Sequence, residues 1–366
     1  VSPVVVSIRI RIFPVRDRTR IVASASTPAC QDSTMEISIG ITPGPDAVRL
    51  AQLAEELGYR RAWLYDSAAL YEDIWINIAN IVRATDRLDV GTAVLVPNLR
   101  HVMATASAIA TIERMAPGRL MCGFGTGLTA RWVLGKPALS WATLRRYVEQ
   151  LHTLLQGGVA DVDDAKTQMI HVPRLAAPRP IDTPLLLSAT GPKGQAITRE
   201  LIDGGVVDGL IDIEGSEGAW GHHVQMVSGT VLDPGEQLDS PRVRGAVGPW
   251  YVVGYHYMWQ VFPDALAGMP LGAEWVARVE SERPDDERHL AVHEGHVTDV
   301  SERDRAVLDA AGPEALGNVG WVGEADDIAS RASAATARGV TELLFTPSGP
   351  DVAREMRAFA AATIGA

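Results

Sequence analysis

From residue 35 onward the chain repeats one pattern. A short run rich in Val, Ile and Leu gives way to a segment with apolar residues at helical spacing. This alternation constrains the fold most, because strands buried on both faces and joined by crossover helices need that order. "EISIGI" (36–41) reads as a strand. Gly44 and Pro45 open a helix with Val48, Leu53, Ala54 and Leu57 on one face and Gly58 as its stop. "RAWLYDS" (61–67) is a second strand, followed by a helix through Ile74, Ile78 and Val82. "LDVGTAVLV" (88–96) is a third, and Val102, Ala106, Ile109 and Ile112 mark a helix stopped by Pro117-Gly118. "RLMCGFG" (119–125) is a fourth. Ser140 caps a helix carrying Trp141, Leu144, Val148, Leu151 and Leu155, which ends at Gly157-Gly158. "PLLLSATG" (184–191) is a fifth strand with a helix over 193–203, and "VVDGLIDI" (206–213) is a sixth. "RVRGAVGPWYVVGYH" (242–256) is expected to hold the seventh. "ELLFTPSG" (342–349) is the eighth, with a last helix from Asp351 to Ile364.

Eight such units predict an α/β fold, a (β/α)8 TIM barrel with an insertion region between strand six and strand eight. The rival is an open doubly wound sheet. It is weakened by "GRLMCGFGTGLT" (118–129), where Gly123, Gly125 and Gly127 alternate and no helix is expected directly afterwards. A dinucleotide fingerprint needs a third glycine three residues after the second, opening a helix. A plain turn and a phosphate-contacting loop remain equal readings of this stretch taken alone. In a barrel, however, it falls at a strand C-terminus, where ligands are held. The same rule selects Asp66, Ser67, Ala93, Val94 and the segment from Ser188 to Pro192.

The other bulk features mainly exclude. Of 366 residues 46% are hydrophobic, enough for one large core over 35–366. Residues 1–34 alternate Val and Ile with Arg and are expected to be a disordered extension. Net charge is −12 and no Lys/Arg cluster follows residue 20, so no nucleic-acid partner is expected. No apolar run is long enough to cross a membrane. Two cysteines, Cys30 and Cys122, make no disulfide framework and suit a reducing cytoplasm.

Several residues have side chains suited to chemistry. Asp66 ends an apolar strand, where it either contacts a ligand or caps a turn or pairs with an arginine. "SATGPKG" (188–194) runs from a strand into a helix. Its free N–H groups and the Ser188 and Thr190 hydroxyls form an anion site, with ordinary capping by Thr190 or Gly191 as the alternative. His289, His293 and His296 have metal-ligand spacing, but without an HExxH pattern no metal is assigned. A pocket-lining or structural role is preferred, with His293 as a candidate general acid. His222 and His223 are expected on an exposed glycine-rich loop. Trp220, Trp250, Tyr255, Tyr257 and Trp259 are expected to line a small-molecule pocket, to pack in the core or to form a dimer surface buried between subunits.

Four stretches carry a family resemblance: "AEELGYRRAWLYDS", "ATDRLDVGTAVLVPNLRHVMATASAIATIERMAPGRLMCGFGTG", "PLLLSATGPKGQAITRELIDGGVVDGLI" and "GEADDIASRASAATARGVTELLFTPSGPD". In that order they resemble the bacterial-luciferase-like superfamily, particularly its deazaflavin-dependent branch, which includes methylenetetrahydromethanopterin reductase. Residues 216–319 match only weakly. The resemblance implies a barrel enzyme acting on a small organic substrate, with coenzyme F420 at the strand C-termini or, alternatively, FMN. It implies a bulge with a cis peptide at Ala93-Val94 behind the cofactor ring. The cofactor phosphate would lie on Gly125, Thr126 and Gly127 and on Ser188, Ala189, Thr190, Gly191 and Pro192, and Asp66 would be the carboxylate after strand two. It implies a homodimer and, for FMN with oxygen, a monooxygenase fed by a separate flavin reductase. An inert flavin-binding relative is a further reading. Many deazaflavin relatives carry His after that acid; here Ser67 stands in its place, and the family's "RHP" is "RHV" at 100–102.

Overall fold

The computed structural model describes residues 35–365. The extension expected at 1–34 lies outside them, and so does Cys30. Eight parallel strands close into a barrel: β1 (Glu36–Ile41), β2 (Arg61–Leu64), β3 (Asp89–Leu95), β4 (Leu120–Phe124), β5 (Leu185–Ser188), β6 (Gly209–Asp212), β7 (His222–Val227) and β8 (Glu342–Phe345). They follow one another around the ring in chain order, and β8 closes on β1. Between β3 and β4 the register shifts from Thr92 to Leu95, and the Ala93-Val94 peptide inside that bulge is cis, as the resemblance implied.

The helices are α1 (Ala47–Leu57), α2 (Ile74–Ala84), α3 (Val102–Met115), α4 (Leu128–Trp132), α5 (Trp141–Leu155), α6 (Pro192–Asp203) and α7 (Pro241–Val261), then shorter ones before Ala325–Ala337 and Val352–Thr363. Their ends follow local chemistry. Gly58 closes α1 at φ 85°, Asp73 accepts from the Trp75 and Ile76 N–H groups at the start of α2, and Ser140 caps α5 through Thr143 N–H. Apolar strand residues face two ways. Trp63, Met121, Leu186, Ile211, Val224 and Leu344 fill the barrel, while Ile39, Leu64, Val90, Cys122 and Leu187 meet the helix shell.

The seventh strand lies elsewhere than the sequence reading placed it. "HHVQMV" (222–227) forms β7, and 242–256 lies inside the long helix α7. Ser240 caps α7 and Pro241 takes its first position, while Val243, Val247, Val252 and Tyr255 bury at helical spacing. The Val and Tyr content imitated a strand, but the spacing of the buried residues decides. β7 looked like a loop because it is polar. Both buried polar side chains instead find a partner: His223 Nε2 stands 3.3 Å from Asp212, and Gln225 Oε1 accepts from Arg338. His223 is therefore fully buried rather than exposed. The insertion accordingly runs from β7 to β8, with its own core around Val247, Tyr255, Trp275 and Val307.

At the N-terminal rim, first strand residues form a charge cluster. Glu342 accepts from Arg61 at 2.5 Å, from Trp63 Nε1 at 2.7 Å and faces His222 Nε2 at 2.6 Å. Desolvation pushes this fully buried carboxyl up, but Arg61 and His222 outweigh it and hold it at about 2.

Candidate functional site

At the C-terminal ends of the strands lies a cavity of about 460 Å³. It gathers Asp66 and Ser67 after β2, Ala93 and Val94 from the β3 bulge, Gly125, Thr126 and Gly127 after β4, Ser188 at the end of β5, and Thr190 and Gly191 after it. These are ten of the residues selected from sequence. Three others fall outside the lining. Ala189 turns inward against Leu210 and Trp220, Pro192 is the exposed first residue of α6, and His293 is buried behind the wall. The general-acid role considered for His293 has no geometry to support it, since His296 is the one that lines the cavity.

The glycine loop is shaped by close approach. A Cβ on Gly125 would sit 2.6 Å from Val94 Cγ2, so the bulge requires glycine there. Gly127 has φ 78° and directly caps α4, a helix the sequence reading did not foresee. The Gly125 N–H donates to Leu95 O and the Ala189 N–H to Ile211 O, so neither is available to a ligand. α6 has no side-chain cap at Gly191, which leaves its first-turn donors facing outward.

Asp66 is paired with an arginine. Arg100 Nη1 donates to both its oxygens at 2.8 and 2.7 Å, and Arg100 Nη2 reaches Asp73 at 2.8 Å. Burial pushes the Asp66 carboxyl above the usual carboxylate range against the pull of Arg100. Opposite, Asp212 at the end of β6 accepts from the Gly215 and Ser216 N–H groups at 2.9 and 2.8 Å. Desolvation opposes ionisation there, yet His223 and Ser216 hold its pKa below the ordinary value.

The remaining wall includes Tyr65, Tyr71, Trp141, Met226, Trp250 and Val253. Trp250 was foreseen; Tyr255 and Trp220 are core, and Tyr257 and Trp259 do not reach the cavity. Tyr71 donates to His296 O at 2.9 Å and ties the insertion to the rim. Val297 carried no sequence signal beyond its place in the insertion, while Arg100 was marked only within "RHV" and Trp141 only as an apolar residue of its helix.

His293 and His296 lie together with His256 of α7, not with His289. His289 packs against Gly135. Burial and the neighbouring His256 lower His293 to about 3 and His296 well below its ordinary value, so both are neutral.

Among the described residues no helix is long and apolar enough to cross a membrane. A family model described as luciferase-like monooxygenase matches residues 21–226. The 5,10-methylenetetrahydromethanopterin reductase of Methanolobus tindarius is 24% identical over 181 residues, 48% of this chain and 54% of its own. The F420-dependent glucose-6-phosphate dehydrogenase of Nocardia farcinica is 30% identical over 167 residues, 41% of this chain and 49% of its own. The chain thus spans about half the length of the curated relatives it matches. The solved coenzyme F420-dependent tetrahydromethanopterin reductase from Methanopyrus kandleri superposes with TM-score 0.61 at 16% identity, covering 91% of this chain and 99% of that one. At that identity the likeness shows the fold alone.

Proposed function

The chain belongs to the luciferase-like monooxygenase family, and from that premise we propose that it is an oxidoreductase that transfers a hydride between coenzyme F420 and a small organic substrate. The observation that carries this reading is the single cavity joining the β3 bulge to the loops after β4 and β5. Its volume, about 460 Å³, falls within the range for small-ligand sites. The names of the matched relatives, a methanopterin reductase and F420-dependent dehydrogenases, support the same cofactor.

In this reading Ala93 and Val94 back the cofactor ring. The Gly125–Gly127 loop, the Ser188 and Thr190 hydroxyls and the first turn of α6 hold its phosphate. The cofactor supplies the hydride chemistry when bound. The protein's part is to position and to exclude water. Asp66 is fixed by Arg100 and cannot swing towards a substrate without breaking two hydrogen bonds. The Ser67 hydroxyl beside it lines the cavity and is the group proposed to hand on a proton where the branch commonly uses His. The reading includes a homodimer.

Ser67 also favours a second reading, an FMN-dependent monooxygenase fed by a separate reductase, because the imidazole typical of the deazaflavin branch is missing. Parallel assays separate the two. Absorbance changes are expected with oxidised F420 on adding small alcohols, or with reduced F420 on adding enoyl or imine acceptors, in both cases without oxygen uptake. Substrate-dependent oxygen uptake with reduced FMN, and none of those changes with F420, would overturn the first reading.

A further inference from the structure

The insertion brings three imidazoles from distant positions into contact. His256 comes from α7, and His293 and His296 come from the short segment that follows Arg288–Val292. His296 Nδ1 lies 3.1 Å from His256 Nδ1 and 3.4 Å from His293 Nδ1. All three rings are buried, at 1%, 1% and 6% exposure. A proton shared between two rings serves one pair and leaves the third lone pair facing nitrogen. A cation at the centre serves all three. Two nitrogens bound tetrahedrally to zinc at the usual bond length stand about 3.3 Å apart, close to the 3.1 and 3.4 Å that separate His296 Nδ1 from the other two, and a donor nitrogen of each ring lies within 4.8 Å of the others.

The outer nitrogens strengthen this. His256 Nε2 faces the Asp304 carboxylate at 3.5 Å, His293 Nε2 lies 3.2 Å from the Gln260 amide, and His296 Nε2 lies 3.2 Å from Thr129 Oγ1. In one orientation of its amide, Gln260 accepts from the His293 Nε2–H. His293 and His296 thus each have an oxygen within hydrogen-bond distance of Nε2, and His256 turns its Nε2 towards the Asp304 carboxylate at the longer 3.5 Å, which leaves the Nδ1 atoms as the ligands. Metal-binding histidines are oriented this way, commonly by a carboxylate. Asp304 is itself fixed by Trp275 Nε1 and Ser301 Oγ, both at 2.7 Å. His256 Nε2 has no close hydrogen-bond partner and is buried, so the ring is not held in place by that bond alone.

We propose that His256, His293 and His296 bind a divalent transition metal, zinc first, through their Nδ1 atoms. Three imidazole ligands suit zinc, copper, iron or nickel and leave a fourth position for water or a substrate group. The ion clasps α7 to the 288–297 segment. It therefore fixes His296 and Val297, which form part of the cavity wall. The site stands independently of the cofactor assigned above, because metal binding is measured on the full chain without any flavin.

The test is equilibrium titration of chelator-treated protein with Zn²⁺, beside visible spectroscopy with Co²⁺. One equivalent of Zn²⁺ is expected, with the intense d–d bands of tetrahedral Co²⁺ and a raised melting temperature. His293→Ala and His296→Ala should lose the equivalent, while His289→Ala should keep it. Truncating a buried imidazole can unfold the insertion, so Asp304→Asn, which keeps all three ligands, gives a second measurement: affinity should fall about 10–100-fold at unchanged stoichiometry. Absence of stoichiometric Zn²⁺ and Co²⁺ binding in the wild type, or binding that survives in both folded alanine variants, overturns the proposal.

Discussion

Glu342→Gln is the sharpest stability test of the barrel. Glu342 is fully buried at the start of β8 and accepts from Arg61 and Trp63 while facing His222. Its carboxyl is held at about 2 in the folded protein against an ordinary 4.5. That gap corresponds to about 3 kcal/mol of stability at neutral pH. Glutamine keeps the shape and an acceptor for Trp63 but removes the charge. Arg61 is then left with Asp89 at 3.4 Å and Glu36 at 3.9 Å. Breaking a buried pair costs about 3–5 kcal/mol, and these remaining partners favour the lower end. For a domain of this size about 3 kcal/mol lowers Tm by roughly 4 °C. Because the folded pKa is depressed, the contribution is fully present above 4.5 and is lost as pH falls towards about 2. Thermal melts of both proteins across that window should therefore converge at the acid end. Equal melting temperatures at neutral pH, or a gap that widens on acidification, would refute the reasoning.

Other predictions are more local. Gly127→Ala puts a Cβ 2.4 Å from Val96 Cγ1 on a backbone with φ 78°; cofactor affinity should drop at least about tenfold, equivalent to about 1.4 kcal/mol in an equilibrium titration. Asp66→Asn removes the charge that Arg100 grips. Stability should fall by about 1–3 kcal/mol in denaturant melts, with turnover reduced as well. Cys122 is buried against the helix shell, and burial pushes its thiol far up. Mass-mapped alkylation at mildly alkaline pH should spare Cys122 in the native protein and label it after denaturation.

How much of this was legible in the sequence varied with the physics of each segment. Strands that are mostly apolar, such as β1, β4 and β5, declare themselves because both faces are buried. β7 did not, because His222, His223 and Gln225 are polar residues whose partners sit on other elements, Asp212 on β6 and Glu342 and Arg338 far along the chain. The rim loops were found by the barrel rule alone, since Asp66, the glycine loop and Ser188 all follow strands. The Arg100 pairing was foreseen only in kind. The histidine cluster was half visible: the spacing of His293 and His296 pointed to it, but the third ring comes from α7, and no local pattern marks His256.

The central claim is that the β3 bulge and the loops after β4 and β5 form one cofactor site. Equilibrium titration of the full chain with F420, with FMN as the competing ligand, tests it most directly. The account predicts saturable F420 binding that is weakened in Gly127→Ala and outcompetes FMN. Failure of both compounds to bind the folded protein would contradict it.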